Sequence, residues 1–192
     1  SPRLKPEMRS DWPIELPVRP MLGTIGVGQP GEADTAYSPI STYGGNMDYN
    51  DVVEGATLYF PVYPQGAYLY LGDGHAQQGD GEGFGAGIET SLDVEFSVRV
   101  VKNKNLTGPR LVNDTHIVSI INNPSKDSTT DSRIREGNSD MIRWLRENCG
   151  LTKWEAHMLM GSIVEHKIVT YWTSTATLIP KKYVPASCHE LQ

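Results

Sequence analysis

The sequence predicts a β-rich α+β chain, with packed sheets or a barrel-like sandwich and a late helical hairpin at about residues 138–164. Two observations carry this. Gly and Pro number 19 and 13 of 192 residues, and nine Tyr stand beside three Phe, a composition of short strands joined by tight turns. Segments rich in aromatic and β-branched residues come first, two helix-type segments follow, and strand-type segments return. That order is not the strand–helix alternation of a doubly wound sheet. With 38% hydrophobic and 21% charged residues, the chain has apolar material for a real core in about one domain.

Residues 1–41 read as an extended Pro/Gly-rich arm, because Pro13, Pro17 and Pro20 fix φ and remove ladder donors. One short strand is expected in it near Leu22–Val27. Residues 42–192 then form a β-rich catalytic-type domain. Within it, Ala56–Leu71 reads as two strands around a turn at Pro64-Gln65-Gly66. Ile88–Val101 reads as a third, with Val94, Phe96, Val98 and Val100 on one face and Glu95, Ser97 and Arg99 on the other. Its apolar face needs a partner sheet. Ile117–Ile121, Ile168–Tyr171 and Ala176–Ile179 complete the set. The first helix is capped by Asn138 or Ser139, gathers Met141, Ile142, Trp144 and Leu145 on one face, and stops at Gly150. The second opens on the capping box Thr152-Lys153-Trp154-Glu155 ahead of Ala156, Leu159 and Ile163. Met158 and Met160 fill core or interface.

The formal charge of −6 and the lack of a basic block argue against nucleic acid or an anionic membrane as partner. No apolar run reaches the ~18 residues of a membrane span, and a cytoplasmic location is expected, with an extracytoplasmic one left open. Cys149 and Cys188 are too few for a metal knuckle or a disulfide framework. The chain opens on Ser1-Pro2 without Met, which points to an upstream segment beyond it. Signatures for dinucleotides, P-loop phosphates and serine hydrolases are absent.

Reactive side chains concentrate in Gly72-Asp73-Gly74-His75-Ala76-Gln77-Gln78-Gly79-Asp80-Gly81-Glu82. Asp73 and His75 are two apart, as are Asp80 and Glu82, so in extended chain each pair faces one way. Imidazole with carboxylates is a ligand set for Zn²⁺ or a similar divalent ion, which lowers the pKa of bound water toward ~7 and polarises a carbonyl. A solvated acidic turn is the plain alternative, but the density of these groups favours a site. The calcium-loop pattern is not met. Gly44-Gly45-Asn46-Met47-Asp48 is a second, weaker cluster, in which Asn46 and Asp48 can face one direction. His116, His157, His166 and His189 have no ligand spacing and read as structural, although Glu165 stands beside His166.

GGNMD at Gly44–Asp48, GDGHAQQGDGE at Gly72–Glu82 and IET at Ile88–Thr90 together resemble the signature blocks of the acetamidase/formamidase family. The resemblance runs from about Arg19 to Val184. It implies hydrolysis of small linear aliphatic amides, of the formamide or acetamide type, to carboxylate and ammonia by a metal-activated water. It also implies a homo-oligomer. Carried onto this chain, His75, Asp48 and Asp73 are metal ligands, with Zn²⁺ foremost and Ca²⁺ or another ion as alternatives. Glu82 or Asp80 is the general base, Asn46 or Gln78 binds the amide, and Glu89 belongs to the site in a role not assigned. The family also carries an upstream β-segment with its own histidine, so association with a missing upstream segment can complete the ligand set. Gly83-Phe84-Gly85-Ala86-Gly87 departs from the family's Val, Cys, Gly, Thr and Ala, and Glu165 stands where Asp is usual. The competing class is a non-catalytic β-domain whose acidic Gly loop holds a structural ion or an oligomer interface.

Overall fold

The computed structural model describes residues 3–4, 15–29 and 40–191. The rest of the expected arm, including Pro13, lies outside the described residues. A two-residue ladder joins β1 (Arg3–Leu4) to β2 (Leu16–Pro17). The body has three layers: a helical pair, a five-stranded sheet and a three-stranded sheet.

The five-stranded sheet is antiparallel and consists of β5 (Thr57–Tyr59), β7 (Arg110–Val112), β8 (His116–Asn122), β9 (Glu165–Thr170) and β10 (Ser174–Pro180), in the order β5-β7-β8-β10-β9. Its central strands β8 and β10 are covered on both faces, and the period-2 alternation assigns each residue a layer. Ile117 and Ile179 pack with Met141, Trp144, Leu145, Ala156 and Met160 of the helices. Val118, Ile120, Ala176 and Leu178 pack with Met47, Tyr49 and Val52 on the other side. That second core lies under the antiparallel sheet β4 (Gly44–Asn46), β3 (Met21–Gly26) and β6 (Tyr70–His75), in the order β4-β3-β6. The helices are α1 (Thr130–Cys149) and α2 (Lys153–Ile163). Neither is long and apolar enough to cross a membrane, and the same holds for every helix among the described residues.

The β-rich α+β class with a late helical hairpin is what the molecule adopts. Gly150 caps α1 at φ 71°, and Thr152 and Glu155 form the reciprocal cap of α2. Four details differ. First, α1 starts at Thr130, capped by Thr129 with Ser132, well before the expected Asn138 or Ser139. Gly137 read as a boundary, yet it lies where the helix presses on β10: a Cβ there would sit 2.4 Å from Thr177 Oγ1. Second, Ala56–Leu71 is not a paired hairpin. The turn forms, with Ala67 N–H donating to the Pro64 carbonyl, but β5 joins one sheet and β6 the other. Pro61 and Pro64 remove ladder donors between them, so the chain changes layers.

Third, Ile88–Val101 is not a strand. Ile88 and Thr90 bond the end of β6 and the residues after it, but from Ser91 onward no described residue supplies a ladder partner, and Val94, Phe96, Val98 and Val100 are exposed. Fourth, Met160 is core while Met158 is exposed. Cys149 and Cys188 are bonded to each other, joining the end of α1 to the C-terminal segment.

The most completely buried ion pair supports the helix layer. Arg110 donates from Nε and Nη2 to the two oxygens of Asp140, at 3.0 and 2.9 Å, and Ser119 and Thr107 donate to the same carboxylate. The guanidinium lies over the Trp144 ring, 4.7 Å from its centroid.

Candidate active site

The three-stranded sheet gathers the acidic residues at one place. β3, which runs through the expected arm, is its central strand, and the register sets Thr24 opposite Asn46 and Met21 opposite His75. β6 continues through Gly72-Asp73-Gly74 to His75, so the cluster starts on a strand and not in the loop after one. Asp73 and His75 converge as their spacing predicts, with His75 Nε2 3.4 Å from Asp73 Oδ1. Glu89, bridged to His75 through the backbone, brings Oε1 to 3.2 Å from the same nitrogen.

Two overlapping ligand sets result: Asp48, Asp73 and His75, and His75, Glu82 and Glu89. In each, the donor atoms lie within 4.8 Å of one another. Three of the six described non-glycine residues at positive φ are carboxylates of this cluster: Asp48 at 48°, Asp73 at 58° and Glu82 at 48°. Left-handed backbone costs of order 1–3 kcal/mol in such residues and gathers at functional sites. Gly23 makes room for them, since a Cβ there would lie 2.5 Å from both Asp48 Oδ1 and Asp73 Oδ2.

Hydrogen bonds from behind orient the cluster. His75 is buried, and its Nδ1 lies 2.6 Å from Gln78 Oε1. A glutamine oxygen only accepts, so Nδ1 carries the hydrogen and Nε2 faces the carboxylates. The other end of Gln78 donates to the Asp48 carbonyl at 2.5 Å. Gln78 is therefore occupied at both ends, in an orienting arrangement. Asn46 Nδ2 donates to Asp48 Oδ2 at 2.7 Å, and Thr24 donates to Asn46 Oδ1.

The electrostatics follow from this crowding. Burial, then the charges of Glu82 and Asp73, push the Asp48 carboxyl up to about 7 against the opposing pull of His75. Burial also raises Glu82, with His75 and a hydrogen bond to Asp48 opposing it. Burial pulls His75 down, but the Gln78 bond and the charges of Glu89, Asp73 and Asp48 outweigh it and hold the imidazole above its ordinary value. Asp48 Oδ1 is buried with no hydrogen-bond partner.

Asp80 and Glu82 do not share a side. The turn at Gly81 and Glu82, both at positive φ, sends Asp80 outward, where it accepts from Asn50 Nδ2 at 2.8 Å and meets Lys167 Nζ at 3.2 Å. Lys167 also donates to Asn50 Oδ1 and Asp51 Oδ2, both at 3.1 Å, and Arg19 pairs with Asp51 at 2.7 Å. Thr24, Asn50, Asp51, Arg19 and Lys167 carry no motif of their own, and only the weak turn after Gly44-Gly45 marked their neighbourhood. His166 accepts or donates at Asn138, and Glu165 lies 3.5 Å from His116. Neither joins the cluster.

A sequence model of the Acetamidase/Formamidase family matches residues 30–181. The chain is 38% identical over 66 residues to a formamidase of Methylophilus methylotrophus, covering 34% of this chain and 16% of that protein. It is 25% identical over 195 aligned positions to an acetamidase of Mycolicibacterium smegmatis, covering 87% and 47%. Among solved structures, an acetamidase of Bacillus halodurans superposes with a TM-score of 0.76 at 32% identity, covering 88% of this chain and 57% of that one. A Thermoanaerobacter tengcongensis acetamidase/formamidase gives 0.75 at 29%, covering 92% and 57%. The chain thus spans about half the length of the acetamidases it matches. With most of its length inside the family match and the signature residues in one cluster, the chain belongs to the Acetamidase/Formamidase family.

Proposed function

We propose that this chain carries a divalent-metal site for the hydrolysis of small linear aliphatic amides to carboxylate and ammonium. The observation that carries the reading is the Asp48–Asp73–His75–Glu82–Glu89 cluster, with Asp48 Oδ1 buried and unpartnered. Carboxylates packed this closely need a proton or a cation among them. The donor set, oxygen with one imidazole nitrogen whose other nitrogen is fixed by Gln78, fits Zn²⁺ or a similar ion.

Asp48, Asp73 and His75 are the residues assigned to hold the cation, which when bound supplies Lewis acidity to a carbonyl and acidifies water. Glu82, raised by burial, is the general base: its carboxylate takes a proton from the attacking water. The same carboxyl then gives that proton to the amide nitrogen as the C–N bond breaks. Water and amide become carboxylic acid and ammonia, which exchange a proton to give carboxylate and ammonium. Asn46 uses one amide hydrogen on Asp48; the second is assigned to the substrate carbonyl. Asp80, engaged by Lys167 and Asn50, is assigned to support the loop.

The test is ammonia release from formamide and acetamide by the polypeptide as it occurs in the cell, after supply of Zn²⁺. His75→Ala is expected to lose metal and turnover together, while Glu82→Gln keeps metal and loses ~10²–10⁴-fold in rate. Metal retained with no turnover in the unaltered protein favours the non-catalytic ion-binding domain. Metal lost in Glu82→Gln makes Glu82 a ligand and removes it as base.

A further inference from the structure

The segment after Glu89 is the largest feature that the candidate site leaves unused. From Ser91 to Lys102 the chain runs without turn or bend. Leu92 anchors its start by packing over Gly74 of β6, where a Cβ would come within 2.7 Å of Leu92 Cγ. Beyond that point Val94, Phe96, Val98 and Val100 are 39, 58, 68 and 75% exposed, and no described residue bonds to the backbone. An extended apolar edge with free N–H and C=O groups is a template for another strand.

We propose that this ribbon pairs with its own copy in a second molecule, antiparallel about a two-fold axis at Ser97. The sequence selects that register. With Ser97 opposite Ser97, Glu95 of each chain faces Arg99 of the other, Phe96 faces Val98, and Val94 faces Val100. Opposite charges and aromatic-to-β-branched pairs are the favourable cross-strand combinations. Centring the axis on Glu95 or on Arg99 sets like charges directly opposite. A one-residue slip from the Ser97 register sets apolar residues against polar ones. Arg99 is available for exchange: its one ion pair among the described residues is with Glu190 at 3.9 Å, and both side chains are exposed. A two-fold interface is self-complementary by construction, and this segment is self-complementary in charge and in side-chain type.

Glu89 and Thr90, which tie the ribbon's root to β6, connect this interface to the candidate site by three residues of chain. The pairing does not depend on what that site does.

Sedimentation equilibrium on the polypeptide as it occurs in the cell tests the proposal. The expected result is a concentration-dependent dimer whose dissociation constant rises roughly tenfold in Glu95→Arg and in Arg99→Glu, and returns toward the original value when both are combined. Ser97→Cys adds a thiol to a chain with no free cysteine among its described residues, and mild oxidation should give a covalent dimer. Since the ribbon's side chains from Val94 to Val100 are exposed, the melting temperature of these variants should stay unchanged, which separates a lost interface from a lost fold. A monomeric protein overturns the proposal, as does a dimer indifferent to Glu95→Arg. A monomer in which the amides of residues 92–101 resist hydrogen exchange overturns it too, and shows that a strand of the same polypeptide covers the ribbon.

Discussion

Gly23→Ala separates the site from the fold more cleanly than removing a ligand does. The added Cβ would lie 2.5 Å from Asp48 Oδ1 and from Asp73 Oδ2, where ordinary contact begins at 3.4 Å. Each oxygen must retreat by about 0.9 Å, against the ±0.2 Å that metal–ligand distances tolerate. Both are the far ends of side chains, so the strand itself need not move. Gly23 lies outside the left-handed region, and Ala is a better strand residue than Gly by ~0.5–1 kcal/mol. The melting temperature of the metal-free protein is expected to hold or rise while affinity and turnover fall; a misplacement near 1 Å is worth ~10² in rate. Gly72→Ala is the control, because a Cβ there meets nothing within 4 Å. The assay is Zn²⁺ titration by calorimetry with ammonia release on the same samples. Unchanged Zn²⁺ affinity in Gly23→Ala would refute the assignment of Asp48 and Asp73 as ligands.

Two further outcomes follow from the same contacts. Burial pushes the Asp140 carboxyl up, but the hydrogen bonds and charge of Arg110, with Ser119 and Thr107, hold it below its ordinary 3.8. Its contribution to stability is therefore full above the unfolded value and lost as pH falls through the lower folded one. Asp140→Asn should cost ~3–5 kcal/mol near neutrality by leaving Arg110 buried and unpaired, and urea midpoints should converge with the unaltered protein as pH drops below 3.8. Lys167→Met should cost ~10–100-fold in turnover by releasing Asp51 and Asp80 from the strand that holds them, and Lys167→Arg should recover part of it; equal rates in all three proteins would make the lysine dispensable.

The elements legible in the sequence were those whose instructions are local. Thr152 with Glu155, Gly150 after a helical face, and the apolar strands β8 and β10 each carry their signal within a few residues, and each is found where expected. What failed was pairing. Pro64-Gln65-Gly66 has the chemistry of a hairpin turn, but turn chemistry does not say which neighbour a strand chooses. Pro61 and Pro64 turned β5 and β6 toward different sheets. Ile88–Val101 alternates as well as any strand in the chain, yet alternation reports an amphipathic edge and not the partner that covers it. Gly137 misled for a related reason: small size in a helix marks a stop or a close approach, and the β10 strand that demands closeness is 40 residues away.

The candidate site divides along the same line. Asp73 and His75 were readable because two residues on one strand face the same way whatever lies around them. Asp80 and Glu82 have the same spacing and were misread, because Gly81 at φ 75° and Glu82 at φ 48° break the extended geometry on which that spacing depends. Asp48 was suggested by its double glycine, and its meeting with Gln78 and Glu82 required the sheet. Lys167 had no local signal, since its partner Asn50 lies 117 residues earlier in the chain. A lysine beside a strand is ordinary until the fold sets it against Asp51 and Asp80. Residue types that carry the chemistry can be found by composition and short spacing, whereas the groups that orient them are identifiable only by what they touch. The left-handed backbone at Asp48, Asp73 and Glu82 belongs to this second class: three separated residues accept the same unfavourable conformation, and the strain has a common cause only when the carboxylates are seen to converge.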